Sequence, residues 1–393
     1  MPSRRRAPTI MLTATVATVL ILPWATDSAP GDKPPDAAAT RLTQQPLPAL
    51  GAGRTVREII RDEPFSMVAL TGADLTGTST QVRAKRADGS WGPWYQAEHE
   101  TGPGGPPGGP DGTEPVFVGA TTAVQIAITR PAGAKATPPP NSDTPVKPDL
   151  GYRPATAEQP FPQNISAVLM SPPRAPVDVQ WTPPTAVLAP GQPPAVIPRA
   201  HWGAAASNRC GRQGDGSPVH AAVVHHTAGS NDYTPEDSAG IVRSIYAYHT
   251  RMLGWCDIGY NALVDKYGQV FEGRGGGISK PIVGTHAGGF NRNTWGVSMI
   301  GTFDHTPPPP IQLHTVGRLL GWRLGLDRTD PHGKVQLVSA GGSYTSFARG
   351  ATLTLPTIFS HRDVDKTECP GDAGYAALAE IRDIAARFNE PPG

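Results

Sequence analysis

The sequence predicts an α/β domain, a mixed central β-sheet flanked by helices, preceded by a small all-β domain. Three observations carry this prediction. Proline-rich stretches at 131–163 and 171–196 break the 393-residue chain into segments of different texture, and much of its complement of 45 prolines falls within them. Between about 55 and 130 the apolar residues come in short runs around a hairpin signal, Asp88-Gly89. Beyond Ile197, strand-like runs alternate with segments of helical period, the pattern of a sheet layered with helices.

At the N-terminus, Arg4, Arg5 and Arg6 precede an apolar run from Ile10 to Pro23, followed by Ala25, Ser28 and Ala29. This is the basic, apolar and small-residue order of a secretory signal, assigned to 1–29; an uncleaved anchor is the alternative. The run is short for a span of roughly 20 residues. After cleavage no stable membrane span is expected, and the chain is placed outside the cytoplasm, secreted or in a cell-wall or periplasmic-type space. Residues 30–54, rich in Pro, Ala and Asp, are expected to be a disordered lead-in.

The β-rich domain is assigned to 55–175. Its expected strands are Phe65–Leu70, Gln81–Lys85, Val116–Val118, Ala123–Thr129 and Ser166–Met170, with a proline-rich insertion at 131–163. Trp91, Trp94 and Tyr95 have two readings, a glycan-binding surface or core packing. Residues 176–196 form a proline-rich linker. In 197–388, Ala221–His226 reads as a buried strand. Thr234-Pro235-Glu236-Asp237 reads as a helix start, leading Ile241, Ile245, Tyr248 and Met252 along one stripe. Asn261–Val264 and Gln269–Glu272 form a hairpin, Val297–Ile300 a strand and Val316–Leu324 a helix. Pro307–Pro310 is expected as a stiff surface loop, Thr357–Ser360 as the strand before His361, and Ala373–Phe388 as the last helix.

Net charge is +1, which excludes the basic field a nucleic-acid binder needs. Three cysteines in an exported chain leave one over, and a metal would occupy such a thiol. Gly275-Gly276-Gly277 lacks the Lys-Ser/Thr of a phosphate loop, Gly296-Val297-Ser298 does not continue as a nucleophile elbow, and no His-Glu-x-x-His occurs. Asn164-Ile165-Ser166 fits a glycosylation acceptor, a match that arises easily by chance. His225 and His226 close one strand, His361 follows another, and Cys369 lies in the loop beyond. Imidazole and thiolate are donors that zinc prefers, and three of them with an open fourth position suit catalysis. On spacing alone, a structural role for these histidines stands beside the metal reading.

Five segments in order carry a resemblance: His225-His226-Thr227-Ala228; Asp257-Ile258-Gly259-Tyr260-Asn261; Phe271-Glu272-Gly273-Arg274; Gly284-Thr285-His286-Ala287-Gly288; and His361-Arg362-Asp363 with Cys369-Pro370-Gly371. Over about 197–388 the chain resembles the peptidoglycan recognition protein and type 2 N-acetylmuramoyl-L-alanine amidase family. The resemblance implies Zn2+ held by His225, His361 and Cys369, with His226 beside the metal site or in the core. It implies catalytic roles for Tyr260, which orients or activates the attacking water, and Thr367, whose hydroxyl donates to the scissile carbonyl oxygen. His286 and Asn291 match the groove wall, and with His226 they form the expected substrate-binding set. Members that bind without cutting commonly lack the thiolate ligand, which this chain keeps. With Cys369 on the metal, Cys210 and Cys256 remain as a disulfide pair, or else as two buried free thiols. The expected activity is cleavage of the amide between the lactyl group of N-acetylmuramic acid and L-alanine of the stem. The expected partners are peptidoglycan and muropeptides; the alternative is a non-catalytic receptor on the same fold. Near Gly275 and Gly276 the chain departs from the Gly-Trp of some animal members, so no stem preference is implied.

Overall fold

A computed structural model of the protein describes residues 39–48, 50–100, 109–132, 165–174, 178, 191–204, 210 and 217–390. The signal at 1–29, most of the proline-rich insertion, most of the linker and Asn164 lie outside the described residues. Among those described, no helix is long and apolar enough to cross a membrane.

The N-terminal module is one antiparallel sheet of β1 (Arg41–Pro46), β2 (Gly53–Gly72), β3 (Ser79–Ala84), β4 (Tyr95–Ala97), β5 (Asp111–Gly112), β6 (Val116–Arg130) and β7 (Ser166–Ser171). Six run in the order β1-β7-β2-β6-β3-β4, and β5 pairs with β2. This corrects the lead-in: Arg41–Pro46 is an edge strand along β7, and β2 begins at Gly53. The Pro- and Ala-rich composition masked a strand whose backbone is satisfied by a partner more than a hundred residues away. The run Phe65–Leu70 is the buried end of a 20-residue strand whose first half is charged and exposed. The two expected strands at 116–118 and 123–129 are one strand, with register shifts opposite Phe65 and Met67.

Alternation along β2 and β7 explains how the module is seated. Val68, Leu70, Ala167 and Leu169 fill its own core with Val82, Ile126 and Ile128. Met67, Ala69, Val168 and Met170 face the other way, joining Phe117, Ile241, Ile245, Tyr248 and Tyr260 in a core shared with the second domain. Strands buried on both faces read as continuous apolar runs, which is why both were legible only as short ones. Trp91 and Trp94 lie outside the cores, half-buried, with the Arg83 guanidinium 5.4 and 4.4 Å from their ring centroids.

The second domain adds β8 (Ala221–His226), β9 (Ala262–Val264), β10 (Val270–Glu272), β11 (Thr294–Met299), β12 (Lys334–Val338), β13 (Thr352–Pro356) and β14 (Ile358–Ser360). Five form a mixed sheet in the order β10-β9-β11-β8-β14, all parallel except the β9–β10 hairpin; β12 and β13 pair separately. The helices are α1 (Arg199–Trp202), α2 (Pro235–Ala247), α3 (Pro310–Leu326), α4 (Asp372–Ala376) and α5 (Leu378–Arg387); α2 runs into a π-helical turn, Tyr248–Met252.

α2 starts where its cap residues require, with the Thr234 backbone N–H and hydroxyl both donating to Asp237 at 2.9 and 3.0 Å. The expected loop at Pro307–Pro310 is corrected at its end: Pro310 is the first residue of α3, where a missing N–H costs nothing. The single C-terminal helix is interrupted at Ala377, giving α4 and α5. α3 and α5 cross closely because Gly317 and Gly321 offer no side chain. A Cβ on Gly321 would lie 2.3 Å from the Ala385 carbonyl oxygen.

Candidate metal centre

β8 carries the first site residue by simple alternation. Ala222 and Val224 face α3 and α5; Ala221 and Val223 face the opposite side, with Phe290, Phe359 and Leu355. His225 and His226, next in line, therefore point to opposite faces. His226 turns to the ring of Phe303, 6.3 Å between centroids, and the Phe303 N–H approaches its Nδ1 at 3.4 Å. It is a buried residue of the core face, so the structure does not bring it to a substrate wall.

β14 is parallel to β8, pairing Ser360 with Val224, so His361 emerges beside His225 at the same sheet edge. Ser360 donates through its N–H and hydroxyl to Asp363, both at 2.8 Å, which fixes the turn bearing His361. The loop before α4 returns Cys369 to this point: Arg362 N–H donates to the Cys369 carbonyl at 3.0 Å, and His226 N–H meets its Sγ at 3.3 Å.

The result is a compact donor set. The rings of His225 and His361 lie 4.5 Å apart, and Cys369 Sγ is 3.9 Å from His225 Nδ1. One donor atom from each of His225, His361 and Cys369 falls within 4.8 Å of the others. Tetrahedral zinc with bonds of about 2.0 to 2.3 Å needs separations of roughly 3.5 Å, a small inward movement. Both rings are already engaged. His361 Nε2 donates to Asp365 at 3.0 Å, and His225 Nε2 meets His286 Nδ1 at 3.1 Å, so each ring is oriented by a second residue.

The electrostatics fit. Burial, then the neighbouring charges of His361 and His286, holds His225 well below 6.5, so its imidazole is neutral with a free lone pair. Burial, reinforced by Glu98, pushes the Cys369 thiol well above its ordinary value. The Arg362 charge and the His226 N–H act the other way without overcoming burial, and a divalent ion bound there would favour the thiolate further.

The remaining predicted residues are spread around this centre. Tyr260 is buried, its ring 5.3 Å from His225, and burial raises its phenol well above 10, which keeps the hydroxyl a donor. Thr367 Oγ1 accepts the Cys369 N–H at 3.0 Å. His286 lies behind His225, buried, its pKa lowered to about 3 by burial and then by His361. Asn291 Oδ1 accepts the N–H groups of His286 and Ala287 at 2.8 and 3.0 Å, holding the loop. Asn291 also lines a separate cavity of about 640 Å³, with Arg292, Leu337 and Arg349. Cys210 and Cys256 are joined by a disulfide.

Sequence reasoning missed three carboxylates from the N-terminal module. Tyr260 donates to Glu114 Oε1 at 2.7 Å, Thr367 donates to Glu98, and Glu100 meets His249 Nε2 at 2.6 Å. His249 Nδ1 accepts the Gly259 N–H at 3.2 Å, which leaves the ring's proton on Nε2, the atom that faces Glu100. Nothing local in the sequence relates positions 98–114 to 260 or 367. Asp365, four residues after His361, was legible in principle as the ring's orienting carboxylate.

A buried His-His-Cys cluster at the C-terminal edge of a mixed sheet defines a class, α/β proteins with three side-chain donors that could hold a metal ion. This chain belongs to the peptidoglycan recognition protein and type 2 N-acetylmuramoyl-L-alanine amidase family. Residues 215–372 match the family described as N-acetylmuramoyl-L-alanine amidase. Residues 30–149 match one described as Rv3811 N-terminal galactose-binding domain-like, in keeping with the small all-β domain. Peptidoglycan recognition protein 1 of Bos indicus is 34% identical over 186 residues, 47% of this chain and 83% of that protein. Peptidoglycan-recognition protein SC1a of Drosophila melanogaster is 31% identical over 176 residues, 45% of this chain and 80% of that protein. A crystal structure of human PGRP-IBETAC in complex with glycosamyl muramyl pentapeptide matches 47% of this chain and 95% of that one, at 26% identity and a TM-score of 0.37.

Proposed function

We propose that this protein hydrolyses the amide between the lactyl group of N-acetylmuramic acid and L-alanine of the peptidoglycan stem, with zinc as cofactor, outside the cytoplasm in cell-wall remodelling or turnover. The observation that carries this reading is the meeting of His225, His361 and Cys369 beside Tyr260. When bound, zinc supplies Lewis acidity toward a carbonyl and makes water a usable nucleophile near neutral pH.

The chain's own residues divide the remaining work. His225 and His361 each offer a ring nitrogen, each ring oriented from behind by His286 or Asp365. Tyr260, protonated and buried, holds a donor hydroxyl beside the cluster, suited to orienting the attacking water. Thr367, two residues before the thiolate, can donate to the carbonyl oxygen as negative charge grows there, a contact of about 3 kcal/mol in comparable sites. The place of His286 behind His225 suits positioning of that ring, and Asn291 suits holding the loop that carries His286.

The test is digestion of purified sacculi with zinc quantified, alongside His361→Ala and Cys369→Ala. Release of stem peptides with a free L-alanine amine, lost in both variants and on chelation, supports the amidase. Sacculus binding with stoichiometric zinc and no new amine, in the parent and also in Glu98→Ala/Glu114→Ala, supports the receptor instead.

A further inference from the structure

The metal cluster and the two hydroxyls beside it are covered from the N-terminal module. His225, His361 and Cys369 are 0, 3 and 5% exposed, and Tyr260 is 3% exposed. None of these four side chains lines the cavity beside Phe117 and Arg243 or the one beside Asn291 and Arg349. A glycan-linked peptide cannot approach a site closed to this degree.

The cover makes specific contacts. The Tyr260 hydroxyl is donated to Glu114 and the Thr367 hydroxyl to Glu98. These are the two groups that the reaction needs directed at water and at the scissile carbonyl. The backbone that carries both glutamates is tied together: Glu114 N–H donates to the Glu98 carbonyl at 2.7 Å, Glu100 N–H to the Gly112 carbonyl at 2.9 Å, and Thr113 N–H to the Leu70 carbonyl at 3.0 Å. The module is seated by further bonds around the site. Ser230 N–H donates to the Phe117 carbonyl at 2.8 Å, Tyr248 to Leu70 at 2.8 Å, and Tyr95 to Ser230 at 3.0 Å. Gly229 fits against Phe117 so closely that a Cβ there would lie 2.8 Å from its backbone nitrogen.

We propose that the N-terminal module is an intramolecular cap, whose Glu98 and Glu114 occupy the hydrogen-bonding positions a muramoyl peptide takes on Thr367 and Tyr260, so that the chain as folded here is the latent form of the enzyme. This rests on the amidase reading and adds its regulation. The joint is suited to reversal: an apolar core shared between two domains keeps it closed, while each domain retains a core of its own. Whatever lifts the module uncovers the metal cluster and returns both hydroxyls to the substrate in one movement.

The test uses the full chain loaded with zinc and a soluble muramoyl peptide as probe. Glu98→Ala/Glu114→Ala removes the two ties; Phe117→Ala loosens the shared core and leaves both carboxylates in place. Binding by calorimetry and release of free L-alanine amine are both measured, with zinc content and the thermal transition as controls of folding. The cap predicts at least tenfold tighter binding and at least tenfold faster release in both variants than in the parent. Slower release in the carboxylate variant, with zinc retained, would overturn it and make the carboxylates part of the reaction; unchanged binding in both variants would overturn it equally. If no variant releases amine yet binding tightens, the amidase reading fails and the cap stands.

Discussion

The phenol of Tyr260 donates to the carboxylate of Glu114, 2.7 Å away and 146 positions earlier in the chain. Behind Glu114 stands Glu100, and beyond that His249 Nε2 at 2.6 Å, so two buried carboxylates lie between a phenol and an imidazole. Burial raises both acids, Glu100 to about 7 and Glu114 further with the help of Glu100's charge. One proton shared by the two carboxyls therefore belongs to the docked structure near neutral pH.

The pH dependence follows. Glu100 titrates near 4.5 when unfolded and near 7 when folded, so the folded state binds the extra proton between these values. Stability from this group is fully present below about 4.5 and falls as pH rises to 7, by up to about 3 kcal/mol. Glu100→Gln lacks this dependence. Melting curves from pH 5 to 8 should show the parent losing several degrees relative to the variant as pH rises. A constant difference would mean that Glu100 ionises freely in the docked form.

His249 works in the opposite sense. Its pKa is lowered from 6.5 to about 4, chiefly by burial, so the unfolded state takes up a proton that the folded state refuses. Stability is whole above about 6.5 and declines toward pH 4, again by up to about 3 kcal/mol. His226 and His286, both lowered to about 3, add to the same slope. Acid unfolding should begin between pH 6 and 4, and His249→Gln should flatten its onset. An onset unaltered by that change would remove His249 as a contributor.

The second domain was largely legible because its signals are local. Thr234-Pro235-Glu236-Asp237 caps a helix wherever it occurs, and β8 ends in its histidines whatever surrounds it. The ordered family segments brought His225, His361 and Cys369 together on paper, and the structure brings them together in space. The module was read less well for a physical reason. β1 is polar and proline-flanked, and β2 is charged over its first half, so neither shows a period. Their strand character comes from partners distant in sequence. The carboxylate cover was invisible for the same reason: Glu98, Glu100 and Glu114 are ordinary acids until docking places them against Tyr260, Thr367 and His249.

Asp365 makes a sharper case for the metal reading. Its Oδ2 accepts from His361 Nε2 at 3.0 Å and from Gly288 N–H at 2.5 Å, so it fixes both the ring and its tautomer. Removal of such a partner weakens metal affinity by roughly 10- to 100-fold in comparable sites. Asp365→Ala should keep the fold yet lose zinc to a competing chelator over that range. Equal retention would show that His361 is not held through Asp365.

Gly321 sets two rules against each other. Replacing a mid-helix glycine by alanine normally stabilises by about 1 kcal/mol. In α3 the added methyl would lie 2.3 Å from the Ala385 carbonyl oxygen, a backbone atom of α5 that cannot rotate away. Overpacking of this kind costs about 1 to 3 kcal/mol. Gly321→Ala should therefore lower the melting temperature. A rise would mean that α3 and α5 can separate at little cost.

The Cys210–Cys256 bond closes a loop of 46 residues that joins the segment before β8 to the turn after α2. Constraint of the unfolded chain by a loop of that size contributes about 4 kcal/mol at most. The bond also lies beside Arg274, whose Nη2 is 3.2 Å from both sulfurs while its Nη1 donates to the Ile258 carbonyl at 3.1 Å and to Thr285 at 2.9 Å. Those contacts tie the disulfide to the loops on either side of Tyr260 and His286. Cys210→Ser/Cys256→Ser should thus lower stability by up to about 4 kcal/mol in denaturant titration and, introduced into Glu98→Ala/Glu114→Ala, weaken muramoyl-peptide binding as well. Loss of stability with binding intact would confine the bond to scaffolding; loss of neither would show that the loop is held by its other contacts alone.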